Sequence, residues 1–235
     1  MPCLNYAHTI AAVSVFMVIS GCTRSADKEH DMSHAESAWI ELTGDADHWR
    51  TYRGEGLPAA WVPTEDGGLH FTGEGAGGDI ITVEQFDNFV LELEWKISKG
   101  GNSGIMFRVS ENHDYPWRTG PEFQILDDEE HPDAREGNDR LAGANYDMHP
   151  PSENVVKPAG EWNQVKLVVN EERVEHWMNG RKIVAYSLWS DEWRKRIADS
   201  KWIDMPDYGM NETGHLCLQD HGDKVWFRTI RIRQL

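Results

Sequence analysis

Leu91-Glu92-Leu93-Glu94-Trp95-Lys96-Ile97 places apolar residues at every odd position and charged ones at every even position. Successive side chains of a strand point to opposite faces, so this period of two marks a strand with one face in a core and the other in water. The pattern continues outward. Gly100-Gly101-Asn102-Ser103-Gly104 reads as a turn. Beyond it Ser103, Ile105, Phe107 and Val109 fall on one face, and Asn102, Gly104, Met106 and Arg108 on the other. In Glu122-Phe123-Gln124-Ile125-Leu126-Asp127 the polar Glu122 and Gln124 alternate with Phe123 and Ile125. Val165 to Val169 is a near-continuous apolar strand. Arg173 to Met178 and Lys182 to Tyr186 flank Asn179-Gly180, a pair suited to the positive φ angles of a hairpin turn. His215 to Gln219 and Val225 to Ile232 give two more strands. Asp191 to Ala198, after the capping residue Ser190, reads as a short helix. Residues 127–152 are polar and rich in Asp, Gly and Pro, and a connection of that length usually carries function. Many strands and little helix predict an all-β fold: a jelly-roll sandwich of two antiparallel sheets with one short helix.

Composition narrows the class. Of 235 residues, 23 are Lys or Arg and 40 are Asp or Glu, a net charge of -17. Such a field repels phosphate backbones and excludes nucleic acid as a partner. Eleven Trp, 21 Gly and 10 Pro suit strands, turns and flat aromatic surfaces rather than a helical bundle.

Residues 1–21 hold no Lys, Arg, Asp or Glu, and Ile10 to Ile19 is almost wholly apolar. That run falls short of the roughly 20 residues of a membrane span and reads as a secretory signal. Ile19-Ser20-Gly21-Cys22 resembles a bacterial lipoprotein cleavage box, which implies acylation of Cys22. The region before it departs from that pattern, with His8 in place of Lys or Arg, and an ordinary cleaved signal is the alternative. Residues 22–37 are polar and aperiodic and read as a tether. Thr23 lacks the acidic character of an inner-membrane retention signal, so the outer membrane is favoured. The expected organisation is a signal over 1–21, a tether over 22–37 and one domain over 38–235, held in the cell envelope by lipid alone. Cys3 leaves with the signal and Cys22 carries lipid. Cys217 alone remains, and the mature domain depends on its core rather than on a disulfide.

Eight motifs, in order, resemble the 3-keto-disaccharide hydrolase domain family across about residues 38–235. They are Gly100-Gly101-Asn102-Ser103-Gly104-Ile105-Met106-Phe107-Arg108, Glu122 to Asp127, His131-Pro132-Asp133-Ala134 and Ala142-Gly143-Ala144-Asn145-Tyr146-Asp147, followed by Gly160-Glu161-Trp162-Asn163, His176-Trp177-Met178-Asn179-Gly180, Leu218-Gln219-Asp220-His221-Gly222 and Val225 to Ile232. The resemblance implies a concanavalin-like jelly roll with a sugar-holding concave groove. It also implies cleavage of glycosides whose sugar carries a ketone at C3, by hydrolysis or by elimination.

A C3 ketone acidifies the hydrogen at C2. A base removes it, an enolate forms, and the C1 substituent leaves. Jelly-roll glucanases instead alternate carboxylates along one strand; here the central position is Gln124, which argues against an ordinary retaining glycosidase. The acid/base candidates are Glu122, Asp127, His176 and His221, with the base left open among them. Substrate-binding candidates are Asn102, Arg108, Gln124, Gln219 and Trp117. Each has a plainer alternative. Glu122 and Gln124 could be solvated on a half-exposed strand, and Asp127 could cap its loop. Arg108 could pair with Glu122 across strands, and His176 could be a satisfied core residue. Trp117, beside Tyr115 and Arg118, suits stacking on a sugar, whereas Trp95 and Trp226 are expected in the core. No cofactor is expected. His131, Asp133 and His149 leave a divalent metal open, but their spacing fits no tight ligand pattern. The expected partners are a carbohydrate substrate and, upstream, a sugar 3-dehydrogenase. The rival readings are a non-catalytic, lectin-like module and a glycosidase in which Asp127 supplies the second carboxylate opposite Glu122.

Overall fold

Every strand predicted from alternation forms in the computed structural model, which describes residues 1–2, 37–75 and 77–235. The expected signal segment after its first two residues, Cys22 and all but the last residue of the tether lie outside the described residues. In chain order the strands are β1 (Ile40–Glu41), β2 (Trp49–Thr51), β3 (Trp61–Pro63), β4 (Leu69–Phe71), β5 (Ile80–Thr82), β6 (Phe89–Ile97), β7 (Asn102–Val109), β8 (Glu122–Leu126), β9 (Asn163–Asn170), β10 (Arg173–Met178), β11 (Arg181–Ser187), β12 (His215–Leu218) and β13 (Val225–Gln234). The first five span two or three residues each, too short for a period of two to register in the sequence. The helix α1 (Asp191–Asp199) forms where predicted, with Ser190 Oγ accepting from Trp193 N at 3.1 Å.

The strands make an eight-stranded sheet, ordered β11-β10-β9-β6-β13-β4-β3 with β1 beside β13, and a five-stranded sheet, ordered β2-β5-β12-β7-β8. All pairings are antiparallel. The sheets stack face to face because each has one apolar face. Leu91, Leu93, Trp95, Leu167, Val169 and Phe227 of the larger sheet form one cluster with Ile105, Phe107, Phe123, Ile125 and Leu218 of the smaller. Full burial of each such side chain contributes about 1.5–3 kcal/mol. No helix among the described residues is long and apolar enough to cross a membrane.

Two expectations about faces are corrected. Trp95 is fully buried, but Trp226 is only partly buried and stacks on His70 at 4.5 Å instead of entering the core. Arg108 does not share the face of Asn102, Gly104 and Met106. Its φ is 52°, a left-handed conformation, and the β7–β12 ladder slips there: Met106 pairs with Cys217 but Val109 with His215. One extra residue in the strand reverses the alternation. Val109 therefore joins Met106, Ile81 and Cys217 in a satellite cluster. Arg108 turns away, donating Nε and Nη2 to Asp87 O at 3.2 and 3.0 Å, with its guanidinium 5.6 Å from the Trp189 ring.

Candidate active site

The outer face of the smaller sheet carries a groove of about 510 Å³. Its floor comes from adjacent strands. Glu122 and Gln124 project from β8, Asn102 from β7, and Gln219 from just beyond β12. A side chain at Gly104 would place Cβ 2.1 Å from Glu122 Oε1, so this bare backbone makes the room in which the carboxyl lies. Gln124 turns its amide nitrogen to Ser103 O at 3.1 Å and to Glu122 Oε1 at 3.2 Å, donating to both. Asn102 Oδ1 and Gln219 Oε1 are buried without a hydrogen-bond partner, leaving two acceptors in groove-lining amides. Leaving such oxygens unmet costs about 1–3 kcal/mol each, a cost that sugar hydroxyls would relieve.

Asp79 enters from the segment before β5. Its Oδ1 accepts from Asp220 N at 2.9 Å, while Asp220 Oδ2 accepts from Gly78 N at 2.6 Å. Gly77 permits that approach, since a Cβ there would meet Asp220 Oδ2 at 2.2 Å. One wall is aromatic: Tyr115 stacks on Trp117 at 5.1 Å, and Trp202 lies 6.5 Å from Trp117. The long loop builds the rest. Arg140 bridges Asp133 and Asp147, each at 2.9 Å, and the Tyr146 hydroxyl donates to Asp133 at 2.8 Å. Asp147 Oδ2 accepts from Lys201 N at 3.0 Å. Lys201 Nζ lies 4.1 Å from the Tyr146 ring centre and 4.4 Å from that of Trp202.

Burial governs the electrostatics. It pushes the Glu122 carboxyl up to about 8; the Lys201 charge opposes the shift, and Asp79 and Asp133 reinforce it. Burial likewise raises Asp79 to about 7, against the stabilising Asp220 N–H and with the added repulsion of the Asp220 charge. Desolvation lowers the Lys201 ammonium, with Glu122 pulling the other way. The groove thus sets two carboxyls near neutrality beside one amine.

The structure brings together Glu122, Gln124, Asn102, Gln219, Trp117 and His221, the last exposed and edge-on to His131 at 6.4 Å. It places Asp127, His176 and Arg108 elsewhere. Asp127 holds the turn below the groove, its Oδ2 accepting from Gly100 N at 2.7 Å and its Oδ1 from Glu129 N at 3.2 Å. His176 is fully buried against Phe123, donates Nδ1–H to Gly143 O at 2.9 Å and is pushed down to about 4 by burial, so it is a neutral packing residue. In the long loop, Asp133 is engaged by Arg140 and Tyr146, and His149 is buried against Tyr186 at 4.6 Å. Among the described residues no group of three or more His, Cys, Asp or Glu could hold a metal ion. Sequence reasoning missed Asp79 and Lys201. Gly77-Gly78 ahead of Asp79 was the one available signal; Lys201 had none.

A two-sheet antiparallel sandwich with a polar and aromatic groove on one face defines a jelly-roll protein of the concanavalin and galectin type. Residues 38–233 match the model of the 3-keto-α-glucoside-1,2-lyase-like domain, and the chain belongs to that family. A 3-keto-disaccharide hydrolase of Bacteroides thetaiotaomicron is 38% identical over 216 residues, with 80% of this chain and 74% of that protein covered. A solved structure of a candidate glycosyl hydrolase from Parabacteroides distasonis superposes with a TM-score of 0.76 at 36% identity, covering 84% of this chain and 94% of that one. A Bacillus subtilis protein with a galectin-like fold matches at a TM-score of 0.54 and 12% identity over 85% and 97% of the two chains, a likeness of fold alone.

Proposed function

We propose that the groove binds a glycoside with a ketone at C3 of its sugar and breaks the C1–O bond after removing the proton from C2. The protein is a hydrolase of glycosyl bonds, a reading supported by its family and by the 38% identity to the Bacteroides hydrolase. The observation that carries the mechanism is the pair of groove carboxyls, Asp79 at about 7 and Glu122 at about 8. A base for a carbon acid works best when its pKa lies near the working pH, and two groups with separated values divide the roles. Asp79, the lower, is the carboxylate that takes the C2 proton. Glu122, still protonated at neutral pH, gives its proton to the departing oxygen. Water then adds at C1, returning a proton to Glu122 while the Asp79 proton returns to C2. The outcome is net hydrolysis. Trp117 and Tyr115 stack on the sugar, while the free oxygens of Asn102 and Gln219 accept from its hydroxyls.

The same reading places the protein in the cell envelope, acylated at Cys22, with a sugar 3-dehydrogenase supplying the ketone. Its support is the Ile19-Ser20-Gly21-Cys22 box. Cys22→Ala is expected to move the protein from the membrane fraction to the soluble one.

The deciding assay incubates the protein with a 3-keto-glucoside bearing a chromogenic leaving group, beside the unoxidised glucoside. Release from the keto compound alone is the expected result. Equal release from both would overturn the keto mechanism, and release from neither, despite sugar binding, would point to a lectin-like module.

A further inference from the structure

Removing the C2 proton needs a place for the electron pair to go. Among the described residues, the groove's buried side-chain atoms without a partner are the oxygens Asn102 Oδ1 and Gln219 Oε1. They accept hydrogen bonds and would repel a developing oxyanion at C3. The Gln124 nitrogen is committed to Ser103 and Glu122. His221 lies exposed at the rim. The cationic side chain at hand is the amine of Lys201, the one Lys or Arg lining the groove among the described residues, and an amine can take the pair covalently. We infer that Lys201 condenses with the C3 ketone and carries the sugar as an iminium while the C2 proton and the C1 oxygen leave.

Three observations support a nucleophile here. Lys201 Nζ makes no ion pair among the described residues, whereas Lys182 and Lys99 hold Glu175 and Glu130 at 2.9 and 3.1 Å. Its contacts are instead the faces of Tyr146 and Trp202, at 4.1 and 4.4 Å. Ring faces hold the ammonium in place without a carboxylate partner that would keep it charged. Its backbone is fixed from two sides: Asp147 Oδ2 accepts from its N–H, and Ser200 caps the following turn through Trp202 N at 3.2 Å. Burial also favours the neutral amine, the form that attacks a carbonyl.

The steps balance. Ammonium and ketone become iminium and water. Asp79 takes the C2 proton and the electron pair moves to the iminium nitrogen. That pair returns as the C1–O bond breaks, and the departing oxygen takes the Glu122 proton. Water adds at C1 and gives its proton back to Glu122, the proton held by Asp79 goes back to C2, and a second water hydrolyses the iminium to free the Lys201 ammonium and the ketone. The substrate class follows: any sugar whose ketone lies β to the leaving oxygen, and none without a ketone.

This inference rests on the function proposed above, and one experiment separates their failures. The full chain is incubated with the 3-keto-glucoside, with and without cyanoborohydride, and analysed by intact mass and peptide mapping. The expected result is a single sugar adduct on Lys201 and irreversible loss of activity in the reduced sample. Lys201→Arg keeps the positive charge but cannot form an iminium, so turnover should fall at least about a hundredfold with an unchanged melting curve. Normal turnover by the wild type with no adduct overturns the role of Lys201 while leaving the proposed function intact, as does Lys201→Arg turning over within tenfold of wild type. No release of the leaving group by the wild type overturns both. The trapping needs no variant, so it decides the matter even if Lys201→Arg fails to fold.

Discussion

Strands β6 and β8 carry the same alternation of polar and apolar residue, each with glutamate on the polar face, yet those faces are built in opposite ways. On the outer face of the larger sheet, Glu92 meets Arg231 at 2.6 Å and Glu94 meets Arg228 at 2.7 Å. Lysine and arginine also cover the outward rings there: Lys166 lies 4.0 Å from Trp177 and Arg228 4.0 Å from Trp162. In the groove of the smaller sheet, Glu122 receives one amide hydrogen and Asp79 one backbone hydrogen, and neither has a salt bridge among the described residues. A carboxylate whose charge is met by an arginine has its partner already and does little. One that is buried and unpaired is held near neutrality, at a cost in stability, and becomes able to carry a proton. Compensation by a neighbour, more than residue type or alternation, distinguishes the two faces.

The largest effect should come from the unpaired side. Asp79→Asn is expected to lower turnover of the 3-keto-glucoside by about 10²–10⁴-fold whatever the leaving group. Glu122→Gln should match that loss on a 3-keto-disaccharide, whose leaving oxygen needs a proton, and lose far less on a nitrophenyl compound. A parallel loss on both substrates would remove Glu122 from the acid role. In the wild type, kcat/KM should follow a bell, rising as Asp79 ionises near 7 and falling as Glu122 does near 8.

Stability gives the companion readout. Both carboxyls have folded values above their ordinary ones, so the folded chain binds more protons than the unfolded chain between those limits. Stability therefore falls as pH rises from the ordinary carboxylate range to about 8, and the loss is complete above it. Glu122→Gln should raise the melting temperature at alkaline pH and leave it little changed in acid. A variant less stable at alkaline pH would contradict an uncompensated carboxyl.

Gly104→Ala should act more mildly, through Glu122 alone, because its Cβ would occupy the space of Oε1. A displacement of about 1 Å can cost up to about a hundredfold, and circular dichroism should show the fold retained. Arg108→Met, away from the groove, should cost about 2 kcal/mol through the orphaned Asp87 carbonyl, with kcat unchanged per folded molecule. At the bottom of the scale, Arg231→Ala on the paired face should change stability by less than about 1 kcal/mol and activity not at all.

Much of this plan was readable in the sequence. Strands long enough to show their period, such as Phe89–Ile97 and Val225–Gln234, were located, and Glu122, Gln124 and Gln219 fell on the groove face. What escaped depends on distant packing. Asp79 gains its environment from Asp220, 141 residues away, and Lys201 from a loop that closes over it. Arg108 was assigned to the wrong face because one inserted residue reverses a strand without leaving a mark in its composition. His176 belongs to a family motif, yet here it makes a hydrogen bond to Gly143 inside the core, outside the groove.

Cys217 lies fully buried in the satellite cluster with Ile81 and Met106, its thiol pushed well above the ordinary range by burial. From residue 37 onward it is the one cysteine in the chain. A thiol reagent can reach it only when the strands that carry the groove part from one another. The labelling rate is therefore a clock for that opening, running inside the unaltered protein. Sugar that clamps the groove should slow the clock, and a ligand on the opposite sheet should leave it ticking as before.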